Sequence, residues 1–241
     1  MRLTRVYVDT ELAAERAVDL PKPVAQHLLK VLRLRMGAPV VLFNGDGNDY
    51  PGVLESNVQV RLSAAIPGVA PAPIPLTLAQ GLCRGERMDL VLQKATELGV
   101  SAIEPLNTQR SEVRLKPDRL PKRMSHWQQV IASACEQSGR SELPALHAPM
   151  NLPEWLAQLA PDPAQCRLVL DPTGDKQLSQ LNRPSAVLAV VGPEGGFEDK
   201  EIALLASQGF QRLTLGPRVL RTETAGPALL AAAGALWGDL G

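Results

Sequence analysis

Aromatic residues make up only 3% of the 241 positions. So small a supply argues against a nucleic-acid surface of stacked aromatic side chains, as in RNA-recognition or oligonucleotide-binding sheets. Cysteine is equally scarce. Cys83, Cys135 and Cys166 are odd in number and widely spaced, with no CxxC pair and no histidine at ligand spacing, so neither a disulfide framework nor a zinc site is expected. His27, His126 and His147 are too scattered for a metal cluster or a nucleophile relay. No 18-residue apolar run occurs, and Met1 to Thr10 has no apolar signal core. A cytoplasmic protein with no membrane span and no metal is therefore expected. Charge of one sign is missing too: 25 basic residues balance 25 acidic ones, which speaks against non-specific coating of nucleic acid.

Phosphate-binding glycine motifs are also absent. What the chain has instead lies near its C-terminal end, where Gly192-Pro193-Glu194-Gly195-Gly196 follows one apolar run, Ala186 to Val191. Leu215-Gly216-Pro217-Arg218-Val219-Leu220-Arg221-Thr222-Glu223-Thr224 follows another, Arg212 to Leu215. Both runs read as short buried strands, and glycine at a strand exit lets the backbone turn sharply or approach a ligand. A phosphate cradle wants Lys and Ser or Thr after its glycines, and a dinucleotide site wants GxGxxG. Glu194 among these glycines would repel phosphate. A neutral or cationic ligand fits better, and S-adenosylmethionine, an adenosine bearing a sulfonium and no phosphate, meets that description. The alternative is that both loops are ordinary strand-to-helix turns.

Two domains are expected, because Pro67 to Pro75 is too proline-rich for a helix or a central strand and divides about 70 residues from a larger remainder. In the first, Arg5 to Val8, Val40 to Phe43, Pro51 to Leu54 and Val58 to Leu62 read as strands, with a turn at Gly45 to Asp49. A helix over about Pro23 to Leu32 would place Val24, Leu28, Val31 and Leu32 on one face. In the second, Leu76 to Leu82, Val100 to Ile103, Arg167 to Leu170, Ala186 to Val191 and Arg212 to Leu215 alternate with helical patterns such as Met88, Val91, Leu92, Ala95 and Leu98. Leu120, Met124, Trp127, Ile131 and Ala134 form another. Gly99 and Gly209 sit at C-cap positions. Such alternation implies a parallel sheet covered by helices. Basic residues also cluster: residues 1–37 hold seven against four acidic, and residues 105–125 hold six against two. Either an RNA footprint or ordinary solvated faces would account for them.

Read together, the GPEGG loop, the LGPRVLRTET stretch and the closing apolar helix resemble the ribosomal RNA uridine N3-methyltransferase family. That family belongs to the trefoil-knotted SPOUT methyltransferases and modifies a uridine of 16S ribosomal RNA. Gln93 to Val100, Arg110-Ser111, Glu136 to Arg140 and His27 to Arg33 extend the resemblance over most of the chain, while Gln26 and Ala38 depart from the family's usual residues. The resemblance implies an α/β fold: a knotted SPOUT domain with a parallel sheet over 74–241, and a PUA-like RNA-binding β-barrel over 1–70. It also implies S-adenosylmethionine as cofactor, the small ribosomal subunit as partner, and a homodimer through the knotted domain.

The implied cofactor site comprises Leu170, Val191, the loop Gly192, Pro193, Glu194, Gly195 and Gly196, then Leu215, Gly216, Val219, Leu220 and Thr222. Glu194 would face the sulfonium or ribose hydroxyls, or else receive backbone N–H groups of the next helix turn. Candidate RNA contacts are Arg2, Arg5, Lys30, Arg33, Arg35, Arg110, Arg114 and Arg140. Uridine N3 carries a proton and is a poor nucleophile until it leaves. Arg221 is the candidate for stabilising the resulting anion and Glu223 for taking the proton. The structural alternative is an Arg221–Glu223 surface pair with Thr222 capping the last helix. Two other functions compete with base methylation: a catalytically silent RNA-binding or ribosome-assembly factor, and a SPOUT enzyme methylating a ribose 2′-hydroxyl.

Overall fold

The computed structural model describes residues 3–241. It divides into two units, one running through Ala70 and taking in Ala132–Leu143, the other formed by Pro71–Ile131 and Pro144–Gly241. The division after Ala70 falls inside the proline-rich stretch. The inclusion of Ala132–Leu143 in the first unit is not visible in the sequence, which gives no break in the helical pattern there. Its cause is a set of polar ties. The Tyr7 amide donates to Glu136 Oε1 at 3.0 Å, and Arg5 donates to the Arg140 carbonyl and to Ser141 Oγ, both at 3.2 Å.

In the first unit, strands β1 (Thr4–Tyr7), β2 (Ala17–Asp19), β3 (Pro39–Phe43), β4 (Asn48–Ser56) and β5 (Gln59–Leu62) form a sheet of order β1-β3-β4-β5-β2, and β6 (Ile66–Pro67) pairs with β4. Val6, Leu42, Leu54 and Val60 project from it into one buried cluster with Leu28. Helix α1 (Lys22–Gln26) stops early, and His27–Val31 form a π-helical turn in which the Leu32 amide bonds the His27 carbonyl, five residues back, at 3.0 Å. This corrects the expected single helical face. A π turn has more residues per revolution than an α turn, so positions after Leu28 drift off its face. Leu28 is buried and Val24 packs on the core, but Val31 is 66% and Leu32 41% exposed.

The second unit is built on a parallel sheet of order β10-β8-β7-β12-β11-β13: β7 (Leu76–Gly81), β8 (Ala102–Asn107), β10 (Met150–Asn151), β11 (Gln165–Leu170), β12 (Ala186–Val191) and β13 (Gln211–Leu213). A further short strand, β9 (Ala145–Leu146), pairs with β8. Central β12 is apolar throughout because both of its faces are covered. Helix α2 (Glu86–Glu97) buries Met88, Val91, Leu92 and Ala95 on one face, with Glu86 and Asp89 at its N-terminal turn and Lys94 in its last, where the helix dipole favours each sign. It ends in a Schellman cap: Gly99, at φ 84°, donates to the Thr96 carbonyl and Val100 to that of Ala95. Three more helices complete the unit: α4 (Leu152–Gln158), α5 (Asp199–Ser207) and α6 (Thr222–Trp237), the last lying against α2, β7 and β12. Helix α3 (Leu120–Ser138) starts in this unit and ends in the first.

Candidate active site

Strands β11, β12 and β13 end at one edge of the sheet, and the loops that follow them enclose a cleft of about 890 Å³. The chain steps from β11 to β12 toward β7, then crosses back to β13 on the far side of β11. Reversals of this kind at the carboxyl ends of parallel strands leave a crevice where ligands bind. Of the residues expected around a cofactor, Leu170, Val191, Gly192, Pro193, Glu194 and Gly196 line the cleft from one side of the sequence gap, and Leu215, Val219, Leu220 and Thr222 from the other. Arg221 and Glu223 line it as well.

Gly195 and Gly216 are absent from that lining. The Gly195 carbonyl accepts from Arg110 Nη1 at 3.1 Å, and a Cβ at Gly195 would meet the Arg110 Cβ at 3.0 Å. A side chain there disturbs the Arg110 segment before it reaches the cleft.

The 192–196 loop is fixed from several directions. At the end of β7, Gly81 packs so closely that a Cβ would come within 2.7 Å of Pro193 N and Cδ, so only glycine permits the approach. Thr222 Oγ1 donates to the Gly192 carbonyl at 2.6 Å and accepts from Gln80 Nε2 at 2.8 Å. The hydroxyl is thus spent on the neighbouring loop, and it does not cap α6, whose N-cap residue Arg221 makes no side-chain cap bond. Glu194 likewise does not serve the following helix. Glu198 and Glu201 cap α5 reciprocally, and Glu201 also accepts from the Gln109 amide at 2.9 Å. Glu194 Oε1 instead accepts from the Arg84 amide and Arg87 Nη1, each at 2.9 Å. Burial alone would raise this carboxyl, but the Arg84 amide, its own backbone amide and the Arg87 guanidinium together outweigh it and hold it below the ordinary carboxylate value.

Arg87 reaches a second carboxylate, with its Nε 3.8 Å from Glu223 Oε1. Glu223 is mostly buried, and its other oxygen, Oε2, has no hydrogen-bond partner. Arg221 stands 4.0 Å from Glu223 at the limit of an ion pair, with its side chain 77% exposed. A tight Arg221–Glu223 surface pair is therefore not what forms. On another wall, burial would raise Asp171, but the Thr173 amide and hydroxyl and Arg212 Nε, the last at 2.8 Å, leave it below its ordinary value.

Sequence reasoning missed Gln80, Gly81, Arg87, Asp171 and Arg212. A signal existed for the first two, since Gln80-Gly81 breaks an apolar strand with a glycine exit like those of the other cleft strands. None marked Arg87. Cys83, buried behind the site, is pushed up to about 12 by burial and then by Glu194 and Glu223, so it is a protonated, unreactive thiol.

The RNA candidates fall into different settings. Arg2 lies outside the described residues. Arg5 must be withdrawn as a phosphate contact: its side chain is only 12% exposed and its guanidinium is held by Asp49, Ser141 and the Arg140 carbonyl. Lys30, Arg33 and Arg35 are exposed. Arg110 is exposed but tied to Gly195, Arg114 donates to the Thr108 carbonyl at 3.3 Å, and Arg140 is half-buried. Among the described residues no group of His, Cys, Asp and Glu has the arrangement to hold a metal, and no helix is long and apolar enough to cross a membrane.

Residues 70–234 match the RNA methyltransferase domain family, and residues 20–62 match the RNA methyltransferase PUA domain. The chain belongs to the RNA methyltransferase family. A relative from Synechocystis named ribosomal RNA small subunit methyltransferase E is 32% identical over 96% of this chain and 77% of its own length. Among solved structures, a methyltransferase from Legionella pneumophila in complex with the bound cofactor SAM is 37% identical, covers 100% of both chains and superposes with a TM-score of 0.94. A ribosomal RNA small subunit methyltransferase E from Neisseria gonorrhoeae, bound to S-adenosyl methionine, is 35% identical over 100% of both chains with a TM-score of 0.91.

Proposed function

We propose that this protein transfers a methyl group from S-adenosylmethionine to N3 of a uridine in 16S ribosomal RNA of the small ribosomal subunit. The observation that carries the reading is the composition of the cleft. Four arginines (87, 212, 218, 221) are matched by four carboxylates (Asp171, Glu194, Asp199, Glu223), beside apolar Leu170, Val191, Leu215, Val219 and Leu220. A balanced lining suits a zwitterionic, sulfonium-bearing adenosine and not a polyphosphate. Its volume is within the usual range for a small-molecule site. The solved relatives with this cofactor bound support the same assignment.

When bound, the cofactor supplies an electrophilic methyl group for in-line displacement. The chain's residues supply the rest. The pinned loop 192–196 orients the donor with main-chain groups, and the apolar residues exclude water. Glu223, whose Oε2 is unpartnered, accepts the N3 proton. The exposed Arg221 guanidinium donates to a uridine carbonyl oxygen and stabilises the negative charge left by that proton. In this reading the first unit is a PUA-like RNA-binding barrel and the second a trefoil-knotted SPOUT domain that pairs as a homodimer, acting in the cytoplasm. Single-turnover methylation of 16S ribosomal RNA, with the product digested to nucleosides, tests it. 3-Methyluridine supports the assignment, a 2′-O-methylated nucleoside overturns the reaction class, and no transfer despite RNA binding leaves an assembly factor.

A further inference from the structure

The π turn at His27–Val31 has a consequence at the surface of the first unit. It turns Val31 and Leu32 outward, and a few residues later Met36 is 70% exposed. Arg33 between them sits at φ 52°, a left-handed conformation that a non-glycine residue adopts at a cost and that often marks a functional site. The segment is nonetheless held firmly. Leu28, Leu29 and Leu34 pack into the core, the Leu34 amide bonds the Leu28 carbonyl at 3.0 Å, and the Gly37 amide bonds the Leu54 carbonyl at 2.8 Å. Three apolar side chains are thus displayed on a braced tip, interleaved with exposed Lys30, Arg33 and Arg35. No acidic residue occurs from Lys30 to Met36.

We propose that this tip grips an unpaired, unstacked nucleotide of RNA, with Val31, Leu32 and Met36 covering the base and Lys30, Arg33 and Arg35 flanking the adjoining phosphates. The inference rests on the reading of the chain as an RNA methyltransferase and adds a recognition element outside the cleft. Cations interleaved with apolar groups match the alternation of phosphate and base along a single strand. Aliphatic and methionine side chains serve as base wedges elsewhere, a suitable choice in a chain so poor in aromatics. A second copy of the same tip would bring like charges together, and an apolar protein groove would leave the three cations without counterparts.

The test is equilibrium binding of the full chain to a labelled 16S ribosomal RNA transcript over a range of salt, with cofactor binding measured in parallel. Val31→Ser/Met36→Ser should weaken RNA binding about tenfold, as losing one base contact does, while the slope of log affinity against log salt stays that of the parent. Arg33→Ala/Arg35→Ala should reduce the magnitude of that slope by about 0.7 per cation removed, the single-strand value. All four substitutions are at exposed positions, and an unchanged melting temperature confirms the fold. Met36→Ala alone carries the test should the double variant melt early. Parental affinity for naked RNA in the serine variant overturns the proposal. So does a loss confined to the assembled subunit, which would mean a protein partner, or a change in mass in solution, which would mean a second copy. Failure of the parent to bind S-adenosylmethionine strikes the methyltransferase reading and leaves the RNA result standing.

Discussion

The two loops that border the cleft are held in opposite ways. The loop 192–196 is gripped by Thr222 at Gly192, by Arg84 and Arg87 at Glu194, by Arg110 at Gly195 and by the close approach of Gly81 to Pro193. The loop 215–221 has little of this. Thr214 Oγ1 donates to the Gly216 carbonyl at 3.2 Å, but Arg218 and Arg221 are exposed and Val219 is 78% exposed. One wall is fixed by hydrogen bonds and close packing, and the other presents its side chains to solvent. Preorganised groups cost nothing to arrange at the moment of reaction, whereas exposed side chains can follow a bulky RNA substrate into place.

The largest expected effect comes from the exposed wall. Arg221→Ala should lower the single-turnover methylation rate by roughly two to three orders of magnitude while cofactor affinity stays within a few-fold. Arg221→Lys should recover little. Raising the pH should partly rescue the Ala variant, because more uridine is then deprotonated without the enzyme. A near-normal rate would remove Arg221 from the chemistry and end its contrast with the fixed wall. Next is Gly81→Ala, which forces Pro193 to move. Overpacking of about 1–3 kcal/mol should appear as cofactor affinity weakened about tenfold or more, by calorimetry. Unchanged affinity would show that the fixed wall is not part of the cofactor site.

Thr222→Val removes a hydroxyl that serves Gly192 and Gln80, and the stranded groups should cost about 1–3 kcal/mol in denaturant unfolding. Thr222→Ser should restore most of it. The smallest effect concerns pH. The carboxyl of Glu194 is held below the ordinary value of 4.5, so its contribution is complete at neutral pH and is lost only as pH falls through that depressed value. Protection of the 192–196 amides from hydrogen exchange should therefore be level down to about pH 5 and decline below it, and Arg87→Ala should shift the decline upward. A decline already evident at pH 6 would contradict the assignment.

Much of the second unit was legible in the sequence because its strands are buried on both faces, and Ala186 to Val191 shows this as an unbroken apolar run, while Leu76 to Leu82 is apolar but for Thr77 and the Gln80-Gly81 exit. The glycine loops after them are equally visible. Strands β9 and β10, two residues each, are too short to show any period. The errors share a cause. Arg5 looked like a surface charge because its partner, Asp49, lies 44 residues away and its other contacts at 140 and 141 are farther still. Val31 and Leu32 looked internal because the α-helical period was extended past the point where the backbone widens. In both, a contact or backbone choice made elsewhere overrode a correct local pattern.

Helix α3 bears on how divisible this protein is. A single continuous rod of 19 residues is shared, its beginning belonging to one unit and everything from Ala132 onward to the other. A fragment ending at Ala70 is therefore not a portable module. It leaves behind Glu136, Arg140 and Ser141, and with them the partners of the Tyr7 amide and the Arg5 guanidinium. Transplanting the first unit onto another body would therefore require carrying a matching helix end along with it.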